Sequence, residues 1–171
     1  MSSFSSLGLS QPLLKAIQQL GFEQPSPIQE LAIPALLAQE GDAVALAQTG
    51  TGKTAAFGLP LLQHLETPQG FVQALILAPT RELAQQITTQ LDQLARYAHG
   101  LEVLTVFGGA PIGPQAKTAR QNPAIIVATP GRLIDLMERR AVKLDQLRFL
   151  VLDEADEMLN MGFQEELERI L

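Results

Sequence analysis

The chain has 171 residues, of which 46% are hydrophobic, and this is enough apolar sequence for one domain with a buried core. It contains no cysteine, which excludes a disulfide framework and a thiolate metal site. The formal net charge of −6 does not indicate the basic surface typical of nucleic-acid-binding proteins. No apolar run has the length of a membrane span and no signal-peptide pattern is present, so we expect a cytoplasmic protein without membrane partners.

Apolar periodicity predicts that strands and helices alternate along the chain. Apolar residues at three- and four-residue spacings indicate helices, and short β-rich apolar runs indicate strands. The helices are predicted at 11–20, 27–38, 53–65, 81–97 and 132–138, and the strands at 43–47, 72–78, 102–107, 124–128 and 147–152. Because such alternation is typical of parallel sheets with helices on both faces, the sequence predicts an α/β fold with a mostly parallel sheet.

Polar or glycine-rich sequence follows each predicted strand, in the order "QTGTGKT", "PTREL", "GGAP", "TPGR" and "DEAD". We expect all five segments at one edge of the sheet, since ligands of open α/β sheets bind outside the carboxyl ends of the strands. The two histidines, His64 and His99, lie outside these segments, and we expect them to be solvated.

The segment "AQTGTGKT", residues 47–54, fits the phosphate-binding P-loop pattern, except that Ala47 stands where the pattern has its first glycine. Gly50 and Gly52 would let backbone amides turn toward phosphate oxygens. Lys53 would bridge the terminal phosphates, and Thr54 would ligate Mg²⁺. An ordinary glycine-rich turn is the alternative.

Two carboxylates follow the last apolar run, "FLVL". Next to a P-loop, Asp153 would hold Mg²⁺ through water, and Glu154 would orient and deprotonate an attacking water. An acidic loop that leads into an acidic helix explains the same residues without chemistry, because carboxylates favour helix N-termini.

The order of "AQTGTGKT", "PTRELA", "GG", "TPGR" and "DEAD" resembles the first RecA-like domain of DEAD-box ATP-dependent RNA helicases. The segment "GFEQPSPIQ", residues 21–29, resembles that family's Q motif, and Ala47 is a residue that the family commonly has. The resemblance implies one N-terminal RecA-like domain over residues 1–171, with the DEAD motif at 153–156. It also implies that the complete enzyme hydrolyses ATP to unwind RNA.

For the nucleotide, the resemblance implies that Gln29 hydrogen-bonds adenine, that Phe22 stacks on it and that Phe4 is an accessory aromatic. The catalytic residues would be Lys53, Asp153 and Glu154, with Asp156 as a structural link to neighbouring motifs. The implied phosphate contacts are Gln48, Thr49, Gly50, Thr51, Gly52, Lys53 and Thr54. Ser26, Pro27 and Gln29 also form a capping box, and its Gln29 competes with adenine for one amide.

For RNA, the resemblance implies contacts to the backbone that read no sequence. The implied residues are Thr80, Arg81, Gly108, Gly109, Thr129, Gly131 and Arg132. Thr129 and Pro130 also fit the N-cap and first residue of a helix, whose N-terminus favours an anion. The alternative is that these residues only begin helices that follow strands, and that they make no contact with RNA.

In the family, a second RecA-like domain closes over the nucleotide and supplies arginines worth about 10³ to 10⁵ in rate. We find no such domain in this chain and expect it alone to hydrolyse ATP weakly or not at all. An isolated nucleotide- or RNA-binding module without turnover is the alternative. The chain also ends before the family's Ser-Ala-Thr motif, whose strand lies between the P-loop strand and the Asp153 strand. We therefore expect a sheet that lacks its last strands, with disorder near the motif loops, direct pairing of those two strands, or pairing borrowed from another chain.

Overall fold

The computed structural model describes residues 3–38, 41–66, 69–98 and 100–171. The helices are α1 (Gln11–Gln19), α2 (Pro27–Ala38), α3 (Lys53–His64), α4 (Arg81–Leu94), α5 (Ile112–Ala119), α6 (Pro130–Glu138), α7 (Ala155–Asn160) and α8 (Gln164–Ile170). The strands are β1 (Ala74–Leu77), β2 (Val103–Val106), β3 (Ile125–Ala128) and β4 (Phe149–Leu152), and short 3-10 turns lie at Phe4–Leu7 and Ala95–Tyr97. Within the described ranges, no helix is long and apolar enough to cross a membrane.

The chain forms two compact units, one of Met1–Glu66 with Gln90–Gly100 and the other of Thr67–Thr89 with Leu101–Leu171. The second unit contains a four-stranded sheet in the order β2-β3-β1-β4, and every pair of strands is parallel. Strands β1 and β3 are buried along their whole length, as expected for a parallel sheet covered on both faces. This architecture confirms the predicted α/β fold.

The pleat divides the strand residues between the two faces of this sheet. Leu75 and Ile126 lie side by side on one face, in a core to which α5, α6, α7 and α8 also contribute. On the other face, the hydroxyls of Thr88 on α4 and Thr105 on β2 are 2.6 Å apart. Helices therefore pack on both faces of the sheet.

The first unit is built around the packing of α2 against α3. Gly58 on α3 is buried, and a Cβ there would lie 2.9 Å from Leu91, so glycine permits this close approach. The Nε2 atom of His64 lies 3.1 Å from the carbonyl oxygen of Leu36. His64 is half-buried, so the prediction that it is solvated is wrong, and His99 lies outside the described residues.

The prediction of a strand at 43–47 is wrong. The segment forms no strand, and its apolar side chains at Val44 and Leu46 are 93% and 92% exposed. An apolar run becomes a strand only when a neighbour completes its hydrogen-bond ladder, and β4 pairs only with β1 in this sheet. The direct pairing expected between 43–47 and the Asp153 strand is therefore wrong as well, whereas borrowed pairing stays a prediction.

Candidate functional site

The Q segment, residues 21–29, is hydrogen-bonded to the P-loop. The Oε1 atom of Gln29 accepts the Ser26 amide at 2.9 Å, which confirms that Gln29 reaches back as in a capping box. The Ser26 hydroxyl does not complete the box and instead donates to the Thr51 carbonyl at 2.8 Å. Gln29 Nε2 donates to the Gly52 carbonyl at 3.2 Å. Both ends of the Gln29 amide are therefore engaged, and its adenine contact stays a prediction.

These bonds determine the direction of two P-loop amides. A trans peptide is planar, with its N–H pointing opposite to its C=O. Since the carbonyls of Thr51 and Gly52 accept bonds from the Q segment, the amides of Gly52 and Lys53 point away from that segment. Gly52 has φ +88°, and a Cβ there would lie 2.4 Å from Gln29 Nε2, so only glycine fits without displacement.

The remainder of the loop presents polar groups at the start of a helix. The Thr51 hydroxyl donates to the Gln48 carbonyl at 2.7 Å, while Gly50 has φ +79° with open space around it. Lys53 and Thr54 are the first two residues of α3, where amides lack helical partners and the helix dipole favours an anion. Among the described residues, none forms an ion pair with Lys53, so its ammonium is available to a ligand.

A cavity of about 390 Å³ lies beside the Q segment. Its lining is formed by Phe4, Leu14, Ile17, Gln18, Gly21, Phe22 and Glu23. The rings of Phe4 and Phe22 are 6.3 Å apart, and Phe4 is only 5% exposed whereas Phe22 is half-buried. Phe22 is therefore the aromatic face available for stacking, and Phe4 supports it. Gln29 is not part of this lining and is 3% exposed.

Four of the five predicted loops meet at one edge of the sheet. The last residues of the strands are in register, with Leu77 beside both Ala128 and Leu152, and Val106 beside Ala128. The segments that follow, 79–81, 108–110, 129–132 and 153–156, therefore begin at the same level. The common edge is confirmed for these four, whereas the P-loop follows residues that form no strand.

Several residues expected to contact RNA present free backbone amides. Gly108, Gly109 and Gly131 are exposed, and no hydrogen bond of the Gly108 or Gly109 amide is found within the described part of the chain. Thr129 is the residue before α6, as predicted, but its side chain makes no capping bond, so the first amides of α6 are not capped by it. Such clustered amides favour an anion.

The two arginines of these loops differ in exposure. Arg81 follows Thr80, whose hydroxyl accepts the Leu83 amide, and its side chain is 52% exposed. It pairs with Glu82 at 2.9 Å, and the Glu82 backbone together with Arg81 lowers the pKa of that carboxyl. The Arg132 side chain is only 9% exposed. Arg81 can therefore exchange its Glu82 partner for a phosphate at the surface. The Arg132 side chain, in contrast, is buried.

The acidic pair follows β4. Asp153 is 8% exposed, and its amide donates to the Leu77 carbonyl at 3.0 Å, which extends the sheet by one residue. Glu154 has φ +52°, a left-handed conformation that is unfavourable for a residue with a side chain, and it immediately precedes α7. Asp156 is exposed and forms no hydrogen bond or ion pair with the described residues, so no contact supports its expected linking role.

A family model described as DEAD/DEAH box helicase matches residues 26–171. The chain belongs to the DEAD/DEAH box helicase family. It is 54% identical over 169 residues to the ATP-dependent RNA helicase CshA of Limosilactobacillus reuteri, covering 98% of this chain and 33% of that protein. The chain thus spans about a third of the length of this curated relative.

Two solved structures are similar to this DEAD/DEAH box domain. A DEAD box protein from the hyperthermophile Methanococcus jannaschii has a TM-score of 0.92 at 42% identity, over 98% of this chain and 46% of that one. The RNA helicase Prp28 from Chaetomium thermophilum bound to ADP has a TM-score of 0.91 at 43% identity, over 100% of this chain and 43% of that one. These matches confirm the RecA-like fold.

Sequence reasoning missed two contacts of this helicase domain. The Ser26 hydroxyl bonds the P-loop 25 residues away, although its position before Pro27 indicated only a helix cap. Gln115 bonds the backbone of Phe107, just before the double glycine. No local pattern signals either contact, since both depend on tertiary proximity.

Proposed function

We propose that this chain is the ATP-binding core of an ATP-dependent RNA helicase. It binds ATP with Mg²⁺ at the Q segment and P-loop, and it binds the RNA backbone at the loops after β1, β2 and β3. In the complete protein a second RecA-like domain joins this one, and ATP hydrolysis drives local unwinding. A cytoplasmic location, without membrane partners, belongs to the same proposal.

The observation that carries the nucleotide proposal is the pair of bonds from Ser26 and Gln29 to the P-loop carbonyls of Thr51 and Gly52. They direct the next amides away from the Q segment at the start of α3, where a phosphate finds N–H donors and the positive end of a helix. The ADP in the related Prp28 structure supports a nucleotide at this kind of domain.

In this proposal, side chains of the P-loop, the DEAD motif and the Q segment have separate roles. Lys53 neutralises the terminal phosphates, because a charge-assisted bond to phosphate is stronger than one between neutral groups. Glu154 positions and deprotonates the attacking water. Phe22 stacks on adenine from the cavity beside the Q segment. Gln29 reads the adenine edge with the second hydrogen-bonding position that its Nε2 and Oε1 atoms keep beside their bonds to Gly52 and Ser26.

The oxygen donors suit magnesium, which prefers one or two protein oxygens together with phosphate oxygens and water. Thr54 would supply a hydroxyl, and Asp153 a carboxylate that acts partly through water. Among the described residues, no group of three metal-ligating side chains occurs. When bound, Mg²⁺ would neutralise charge on the phosphates.

A titration with a fluorescent ATP analogue and Mg²⁺ tests the nucleotide role. Lys53→Ala should weaken binding about tenfold to a hundredfold, since a hydrogen bond to a charged group contributes about 1.5–3 kcal/mol. Glu154→Gln should bind like the wild type and should abolish hydrolysis in the complete protein. Lys117→Ala, at an exposed position on α5, controls for the loss of one positive charge. Equal losses in all three variants would contradict these roles.

A second candidate function is a binding module that holds ATP or RNA without turnover. The strand-free segment before the P-loop favours it for this chain by itself. An ATPase assay with and without RNA, on this chain and on the complete protein, separates the two. RNA-stimulated turnover of the complete protein supports the helicase, whereas binding without turnover in both supports the module.

A further inference from the structure

We propose that Gln115 and Arg132 are positioning residues that hold the loop of residues 107–110, here called the glycine loop, open toward an RNA phosphate. In this proposal Arg132 acts from beneath the loop and does not itself bind the phosphate. The inference rests on the proposed RNA site and assigns it two supporting side chains.

Gln115 holds the start of the glycine loop at two points. Its Oε1 atom accepts the Phe107 amide at 3.1 Å, and its Nε2 atom donates to the Phe107 carbonyl at 3.2 Å. Strand β2 ends at Val106, and Phe107 is the next residue. The Gln115 carboxamide therefore gives Phe107 the pair of hydrogen bonds that a neighbouring strand would otherwise provide.

This contact orients the first glycine. Because the peptide between Phe107 and Gly108 is planar and trans, its N–H points opposite to the carbonyl that Gln115 holds. The Gly108 amide therefore points away from Gln115. Gly108 is exposed, and no hydrogen bond of its amide is found among the described residues, so this amide is available to a ligand.

Arg132 holds the other end of the glycine loop. Its Nη2 atom donates to the Ala110 carbonyl at 3.0 Å, and its Nε atom lies 3.7 Å from an Asp135 oxygen. The side chain is 9% exposed, and its Nε and Nη1 atoms have no hydrogen-bond partner among the described residues. A buried, partly unsatisfied guanidinium costs stability, so a functional role at the glycine loop would account for it.

The burial of Arg132 also argues against direct phosphate binding. A guanidinium with inaccessible Nε and Nη1 atoms would have to leave Ala110 before it could contact a ligand. From its observed position it holds the Ala110 carbonyl and draws that dipole away from the anion site. Arg81, which is 52% exposed and near Gly109, is the side chain suited to direct contact.

The salt dependence of RNA binding distinguishes the two kinds of arginine. Each phosphate neutralised on a single strand contributes about 0.7 to the slope of log affinity against log salt concentration. Arg81→Met should therefore reduce the slope by about 0.7, whereas Arg132→Met and Gln115→Met should weaken binding about tenfold with an unchanged slope. Gln115→Glu keeps the acceptor for the Phe107 amide but loses the donor to the Phe107 carbonyl and adds a negative charge near the anion site, so it should lose at least as much affinity as Gln115→Met.

The experiment titrates a short fluorescein-labelled oligouridine against the 171-residue chain and each variant at several salt concentrations. Lys117→Met, an exposed change on the same helix as Gln115, is the matched control and should bind like the wild type. The proposal is overturned if Arg132→Met reduces the slope as Arg81→Met does, or if Gln115→Met binds as tightly as the wild type.

A second measurement needs no RNA. The ¹⁵N order parameters of Gly108 and Gly109 should be about 0.85 in the wild type and below about 0.6 in Gln115→Met and Arg132→Met, provided the sheet amides stay unchanged. Unchanged glycine order parameters would overturn the proposal. A wild type that does not bind oligouridine would refute the proposed RNA function, while these order parameters still decide whether the two side chains hold the glycine loop.

Discussion

Replacing Gly52 by alanine tests the contact between the Q segment and the P-loop. Gly52 has φ +88° and ψ 23°, and an added Cβ would lie 2.4 Å from Nε2 and 3.2 Å from Cδ of Gln29. Alanine therefore meets a backbone penalty and a steric conflict. Gln29 can relieve the conflict only by withdrawing its amide from Gly52 and Ser26.

The two parts of the cost can be worked out separately. A left-handed conformation costs an L-residue about 1–2 kcal/mol. Loss of the two Gln29 hydrogen bonds costs about 1 kcal/mol each, which makes the contact part about 2 kcal/mol. For a chain of this size, about 1 kcal/mol lowers the melting temperature by about 2–4 °C, so the contact part corresponds to about 4–8 °C.

Gly50→Ala is the matched control. Gly50 has φ +79°, and a Cβ there would meet no atom within 4 Å, so this variant bears the backbone penalty alone. Thermal or urea unfolding of both variants should show Gly52→Ala less stable than Gly50→Ala by about 2 kcal/mol. In a Gln29→Ala background the conflict is absent, and Gly52→Ala should then cost no more than Gly50→Ala. Equal stability of the two single variants, or no coupling to Gln29, would refute the reasoning.

Three further predictions concern single residues. Glu154→Gly should raise the free energy of unfolding by up to about 1 kcal/mol, because glycine relieves the strain of the left-handed backbone, and it should abolish hydrolysis in the complete protein. Glu154→Gln should abolish hydrolysis without this gain in stability. Equal unfolding curves of the two variants would contradict this prediction. Gly58→Ala should lower the free energy of unfolding by about 1 kcal/mol. Overpacking against Leu91 costs about 1–3 kcal/mol, which outweighs a gain of about 1 kcal/mol in helix propensity. A variant that is more stable than the wild type in urea unfolding would contradict this prediction. Gln29→Ala should narrow the gap between ATP and GTP affinity in competition titrations. If the melting temperature falls but the preference for ATP over GTP is unchanged, the role of Gln29 is confined to its structural contacts with Ser26 and Gly52.

The elements with strong local patterns could be predicted from the sequence. Helix α2 begins at Pro27 and ends at Ala38 as predicted, because proline favours a first helical position and Gln29 reaches back to Ser26. Strands β1 to β4 lie within the predicted apolar runs, and their parallel order follows from the alternation with helices.

The prediction failed where the outcome depends on distant neighbours. Residues 43–47 have a strand composition but no strand neighbour, so their apolar side chains are exposed. Helix α5 was missed because Gly113 and Pro114 in its first turn indicate a turn. The burial of Arg132 could not be read from "TPGR", since it depends on the glycine loop reached through β2.

Amide spectra of the ¹⁵N-labelled chain with two ligands test the central claim most directly. ATP with Mg²⁺ should shift the amides of Gly50, Gly52, Lys53 and Thr54, and a short oligouridine should shift those of Gly108, Gly109 and Gly131. A chain that binds neither ligand, or binds both with shifts confined to other residues, would contradict the assignment of these loops to nucleotide and RNA.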